Sequence, residues 1–115
     1  MIQPGEIYMA DFGPAGPHPV IVVSREELNR GHYALVVVCT SARFPIRSKL
    51  SNCVPFQAGD FGLTVNCVAQ CENILPIDQV QLALAVGSMG VLDDTALQKV
   101  IKAIGYVIKS DCKPL

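Results

Sequence analysis

The sequence predicts an α+β, mainly β fold: a small antiparallel β-barrel closed by one C-terminal helix. Short β-branched or alternating apolar runs, punctuated by Pro and Gly, follow one another through most of the chain, the pattern of short strands joined by turns. Near the C-terminus the hydrophobic period changes to that of a helix. At 115 residues the chain suits one compact domain, taken as residues 1–115, that buries roughly 65% of its unfolded surface. Helical patterns do not alternate with the strands, so a βαβ architecture is not expected.

Glu6–Phe12 alternates and contains Ile7, Tyr8 and Met9, which makes it a first strand; Gly13-Pro14-Ala15-Gly16-Pro17 then reads as a turn. Val20-Ile21-Val22-Val23 is a β-branched second strand. Ser24 is expected to cap a short helical turn through Arg25–Asn29 that Gly31 ends. Tyr33–Thr40 is apolar at nearly every position, as a central strand covered on both faces would be. Further strands are expected near Asn52–Phe56, Thr64–Glu72 and Gln79–Ser88, with turns at Gly59-Asp60 and Pro76. In the tail, Leu97, Val100, Ile101, Ile104 and Ile108 build an apolar helical stripe. Asp93 or Asp94 supplies its N-cap, and Lys102 and Lys109 suit the C-terminal end of the helix dipole.

Half of the residues are hydrophobic and 17% are charged, which excludes intrinsic disorder. The net charge of −1 argues against a strongly basic nucleic-acid binder. That average hides an asymmetry, because residues 40–49 hold Arg43, Arg47 and Lys49 with no acid, whereas residues 50–98 hold five acids and no Lys or Arg. No apolar stretch is long enough to span a bilayer, and the first residues lack the basic and apolar regions of a signal peptide. A cytoplasmic protein without membrane contact is therefore expected. The five cysteines (Cys39, Cys53, Cys67, Cys71 and Cys112) are odd in number and form no CxxC pair, so buried thiols are expected rather than a disulfide framework. Cys67 and Cys71 lie on a predicted strand, where their spacing of roughly 13 Å suits no shared zinc ion.

Several segments, in order, resemble the MazF/PemK (Kid-type) toxins of bacterial toxin–antitoxin pairs. Gln3–Phe12 is similar to the family's opening RGDIYxxDL strand, and His18–Ser24 with Asn29-Arg30 to its RPxLVVSxxxxNR segment. Val36–Ser41 is similar to the VxPxTS strand end, and Gly62-Leu63 through Cys71–Asp78 to GLxxxSVVxCDQIRTID. Val86–Leu92 and the tail helix resemble the closing segment. The matches span nearly the whole chain. The resemblance implies a small SH3-like barrel that pairs as a homodimer. It also implies an endoribonuclease that cleaves single-stranded RNA with no metal or other cofactor, and a cognate antitoxin protein as partner.

Metal-free RNA cleavage needs a base for the 2′-hydroxyl, an acid for the leaving oxygen and positive charge at the phosphorane. The resemblance places Thr40, followed by Ser41, where the family has its catalytic Thr. It places His18 where the family has an Arg. An imidazole can act as acid or base near neutrality, or the change can mark a site that has lost catalysis. Taken alone, Thr40 would merely satisfy backbone groups at a strand end, and His18 would be a solvated turn residue. Glu72 retains a carboxylate able to act as a base or to accept an amino group, while Gln70 and Leu75 stand at two further family Arg positions. Arg43, Phe44, Arg47 and Lys49 follow Thr40-Ser41 on an expected mobile loop, where cations can track phosphates and an aromatic can stack a base. The expected site is thus His18, Thr40 and Glu72 for catalysis, with Ser41, Arg43, Phe44, Arg47, Lys49 and Gln70 for RNA. The alternative is a non-catalytic protein of the same fold that engages an antitoxin or another cellular target.

Overall fold

The alternating and β-branched runs of the first forty residues fold as an antiparallel meander. A computed structural model describes residues 2–84 and 87–109. Its strands are β1 (Glu6–Asp11), β2 (Pro17–Val22), β3 (Tyr33–Thr40), β4 (Cys53–Phe56), β5 (Cys67–Asp78) and β6 (Gly90–Val91). The helices are α1 (Phe44–Arg47), α2 (Gln79–Leu84) and α3 (Asp94–Val107). The strands form one curled six-stranded sheet in the order β4-β5-β3-β2-β1-β6. β3 lies near the middle, as its unbroken apolar run requires.

Each face of the sheet carries its own core. Ile7, Ile21, Val37, Cys39, Cys67, Ala69 and Cys71 face α3 through Ala96, Val100 and Ala103. Tyr8, Ala10, Val20, Val22, Val36, Val38 and Ile77 lie on the other face, covered by Leu82 of α2. The four described thiols, Cys39, Cys53, Cys67 and Cys71, are free and buried, as expected; Cys112 lies outside the described residues. The hydrogen bond to Cys67 and burial push the Cys39 thiol well above its ordinary range. Burial first, then the nearby Cys53 and Glu72, pushes Cys71 up to about 12.

The curl brings the two open edges of the sheet toward one another. After β4 the chain turns through a 3-10 segment, Asp60–Gly62, that packs on β6. A Cβ on Gly62 would stand 2.1 Å from the Met89 carbonyl oxygen, and one on Gly90 would stand 1.9 Å from that of Phe61. Only glycine admits this backbone contact. Phe61 meets Phe56 edge-on at 6.1 Å between ring centres.

Three expectations are corrected. Gln79–Ser88 is not a strand: the described part begins with helix α2 over Gln79–Leu84, and residues 85–86 lie outside the described residues. Asp78 accepts the Val80 N–H at 2.9 Å, which satisfies a helix-starting donor that a strand would have paired elsewhere. Pro76 is not a turn but lies inside β5, opposite Leu35. β4 pairs only with Cys67–Gln70 of β5, so Pro76 occupies a half-strand with an open side, where its missing N–H breaks no ladder bond. Ser24 does not cap a helix at Arg25–Asn29. Its hydroxyl bonds the Asn29 side chain and accepts the Leu35 N–H, and the helical turn is a 3-10 segment at Leu28–Arg30.

The tail helix forms as expected, with Asp93 as N-cap accepting from Ala96 N at 2.8 Å. Its buried face is nevertheless Ala96, Val100 and Ala103, flanked by Leu97 and Ile104. Ile101 and Ile108 are exposed. The small alanines let the helix approach the sheet closely, which hydrophobicity alone does not reveal.

Candidate active site

β2 and β3 pair with Val20 opposite Val38. Continued by two residues, that register sets His18 beside Thr40. The ring of His18 confirms the adjacency: Nδ1 lies 3.1 Å from the Cys39 carbonyl oxygen, and Nε2 lies 3.1 Å from that of Ala15 in an exposed contact. The neutral imidazole has one N–H donor, so it satisfies one carbonyl and turns a lone pair on the other; the imidazolium donates to both. Phe12 stacks at a tilt against this ring, 5.9 Å between centres. His18 is therefore a half-buried, anchored side chain rather than a solvated turn residue.

Thr40 ends β3 and is buried. Its Oγ1 accepts the Ala42 N–H at 3.2 Å, which makes the sharp exit from the strand and leaves the hydroxyl proton available to donate. Thr40 pairs with Val68, and Val38 with Gln70. Cross-strand partners share a face, so His18, Thr40 and half-buried Gln70 belong to one face of the sheet, in adjacent rows.

Glu72 is not brought to them. Between Val37, opposite Ile74, and Val38, opposite Gln70, the register jumps, so β5 bulges through Cys71, Glu72 and Asn73. Glu72 is exposed on that bulge, and its Oε1 accepts the Asn52 amide at 2.8 Å. It stands four residues along β5 from the Thr40 partner Val68, roughly 13 Å of strand.

The stretch after Thr40 is not simply a mobile loop. Pro45 sits in the first turn of the short helix α1, whose rise follows an Arg43 with φ of 55°. Ser41, Arg43 and Lys49 are exposed, while Phe44 and Arg47 are half-buried. Three cations thus leave the strand end next to Thr40 on a folded turn rather than a flexible chain.

Two other features escaped the sequence. Asn29, buried at 2% exposure, donates to the Ile2 and Ser24 carbonyls at 3.0 Å. The Gln79 amide bonds the Asn29 carbonyl at 2.6 Å, so this pair ties the β2–β3 connection to α2. A cavity of about 710 Å³ opens beside Phe12, lined also by Asp11, Tyr33, Leu75, Ile77 and Asp78. Its residues come from three separate strands, the turn after β1 and Gln81 of α2, which no local pattern connects. A larger groove of about 1030 Å³ lies between β4 and α3, but it contains neither His18 nor Thr40.

The chain is similar to known proteins in sequence and in fold. Residues 3–108 match the family described as PemK-like, MazF-like toxin of type II toxin–antitoxin system. Endoribonuclease MazF9 of Mycobacterium tuberculosis is 29% identical over 117 residues, covering 89% of this chain and 94% of that protein. A mycobacterial endoribonuclease solved in complex with its cognate antitoxin superposes with a TM-score of 0.77 at 21% identity, over 95% of this chain and 96% of that one. The M. tuberculosis toxin MazF-mt6 gives 0.73 at 21% identity, over 90% and 96%. A MazE–MazF structure from Deinococcus radiodurans gives 0.71 at 16%, over 93% and 94%. The solved structures establish the shared fold.

Proposed function

Because the chain belongs to the PemK-like, MazF-like toxins of type II toxin–antitoxin systems, we propose that it is an endoribonuclease that cuts single-stranded RNA at the His18–Thr40 site. The observation that carries the reading is the anchored imidazole: Nδ1 is held by the Cys39 carbonyl in the peptide group leading into Thr40, while Nε2 makes an exposed, exchangeable contact. An imidazole oriented through one nitrogen presents the other to substrate.

In the proposed reaction the 2′-oxygen attacks the adjacent phosphorus as its proton leaves to solvent water, the acceptor at this exposed strand end. The bond from phosphorus to the 5′-oxygen breaks, and that oxygen takes a proton. The products are a 2′,3′-cyclic phosphate and a 5′-hydroxyl. Nε2–H of His18, released from the Ala15 carbonyl, donates to the leaving oxygen. The Thr40 hydroxyl donates to a non-bridging oxygen, where charge builds in the transition state. Arg43, Arg47 and Lys49 hold the phosphates on either side, with Ser41, Phe44 and Gln70 along the strand path. Glu72, held by Asn52, is assigned to RNA contact rather than proton transfer. A protein antitoxin and a second copy of the chain complete the proposed partners.

The test is incubation of purified protein with a long single-stranded RNA in the presence of EDTA. Discrete cleavage that His18→Ala and Thr40→Ala each reduce at least about tenfold supports the reading. Absence of cleavage, or cleavage indifferent to both variants, favours the non-catalytic antitoxin-binding reading, to which the missing arginines at Gln70 and Leu75 already point.

A further inference from the structure

The cavity beside Phe12 is built from two aromatic–carboxylate pairs. Asp11 ends β1 and Phe12 follows it; Tyr33 and Asp78 oppose one another directly on β3 and β5, and Gln81 of α2 adds an amide to the lining. Leu75 and Ile77 supply apolar wall, and the volume of about 710 Å³ lies within the range of small-ligand sites. Each carboxylate is half committed. Asp11 Oδ1 accepts the Gly13 N–H and Asp78 Oδ1 accepts the Val80 N–H, both at 2.9 Å. These bonds fix each carboxylate and leave its second oxygen with no partner among the described residues. Tyr33 is 59% exposed, an open ring face at the mouth.

We propose that this cavity reads an unstacked base of the RNA next to the cut, and that it selects a base with adjoining N–H donors, guanine first. The proposal rests on the ribonuclease reading above, because Phe12 joins the cavity to the His18 ring. Sequence-specific RNA recognition uses bases splayed onto aromatic rings and hydrogen-bonded along their Watson–Crick edge. An ionised carboxylate only accepts hydrogen bonds. Guanine offers an imino and an amino hydrogen side by side on that edge. Uracil presents two carbonyl oxygens flanking a single N–H, and those oxygens would face the carboxylate unpaired. The acids also keep the phosphates out of the cavity, toward the cations after Thr40. A basic peptide side chain is the other ligand that two carboxylates attract. The apolar wall and the adjacent His18 ring, tied to two carbonyls, suit a flat base better than a hydrated cation.

The experiment is sequencing of cleavage sites in a random RNA pool with wild-type protein, Asp78→Asn and Tyr33→Ala. The amide introduced by Asp78→Asn keeps an acceptor for the Val80 N–H, so the first turn of α2 is retained, and the melting temperature checks the fold. The expected result is guanine at a fixed position near the wild-type cut, with that preference lowered about tenfold or more in Asp78→Asn. Tyr33→Ala should raise KM more than it lowers kcat. An unchanged preference in Asp78→Asn overturns the proposal. Should wild-type protein cut nothing, anisotropy with labelled oligonucleotides carrying guanine or uracil at one position separates the two ideas. Guanine-selective binding lost in Asp78→Asn upholds the base site without the catalysis, and absence of selectivity overturns it. Loss of binding to a Lys/Arg-rich peptide in Asp78→Asn, with RNA behaviour intact, overturns it in favour of a protein ligand.

Discussion

Nδ1 of His18 lies 3.1 Å from the carbonyl oxygen of Cys39, which ties the β2 side chain to the peptide unit that enters Thr40. The contact converts a residue between two prolines into a fixed part of the β3 strand end. With Nε2 on the Ala15 carbonyl, the ring also joins the β1–β2 turn to that strand.

Removing the imidazole should therefore cost catalysis and local order together. His18→Ala is expected to lower kcat by about 10²-fold or more, the usual weight of a positioned proton donor. The two-carbonyl arrangement is complete only with both ring nitrogens protonated. Loss of the ring removes both contacts, so hydrogen-exchange protection of the β1–β2 turn should fall in His18→Ala. Cleavage by His18→Ala at the wild-type rate contradicts the assigned role.

Thr40 and Glu72 should separate under mutation. Thr40→Val removes the hydroxyl and strands the Ala42 N–H, so cleavage should fall at least about tenfold and stability by about 1 kcal/mol. Glu72→Gln retains an acceptor for Asn52 and should change kcat by no more than about threefold if its role is contact alone. The two rates, measured on one RNA, decide whether Glu72 takes part in proton transfer.

The edge closure makes a stability prediction independent of function. Gly90→Ala would place a methyl group 1.9 Å from the Phe61 carbonyl oxygen, against backbone that cannot rotate away. A loss of about 2–4 kcal/mol is expected in urea unfolding, the scale of a severe steric lesion. Gly31→Ala, where nothing lies within 4 Å of the added carbon, should cost much less.

The buried thiols predict alkaline sensitivity. Burial first, with neighbouring groups, raises Cys71 to about 12, whereas an unfolded thiol ionises near about 8.5. The folded state then holds its proton where the unfolded state has lost it. The contribution is fully present below about pH 8.5 and is lost as pH rises toward 12. Melting temperature should fall across that window, and Cys71→Val should reduce the fall. Equal slopes in both proteins would remove Cys71 as the cause.

By itself the sequence determined the strands β1 to β4 and the start of β5, the capped tail helix and the buried thiols, because β-branched runs, Pro-Gly punctuation and an Asp N-cap act through neighbouring residues. It also marked His18 and Thr40, through their place in ordered segments similar to a toxin family. Tertiary structure decided what those residues touch. The register of β2 on β3 anchors the His18 ring, and the bulge in β5 carries Glu72 away. Pro76 stays in a strand because one side of β5 is open there, and Gln79–Leu84 becomes helical because Asp78 caps it and Leu82 finds a core to enter. The cavity at Phe12, Tyr33 and Asp78 joins three strands far apart in sequence. Local patterns record the periodicity of a chain; only its curl sets which ends of those strands face one another.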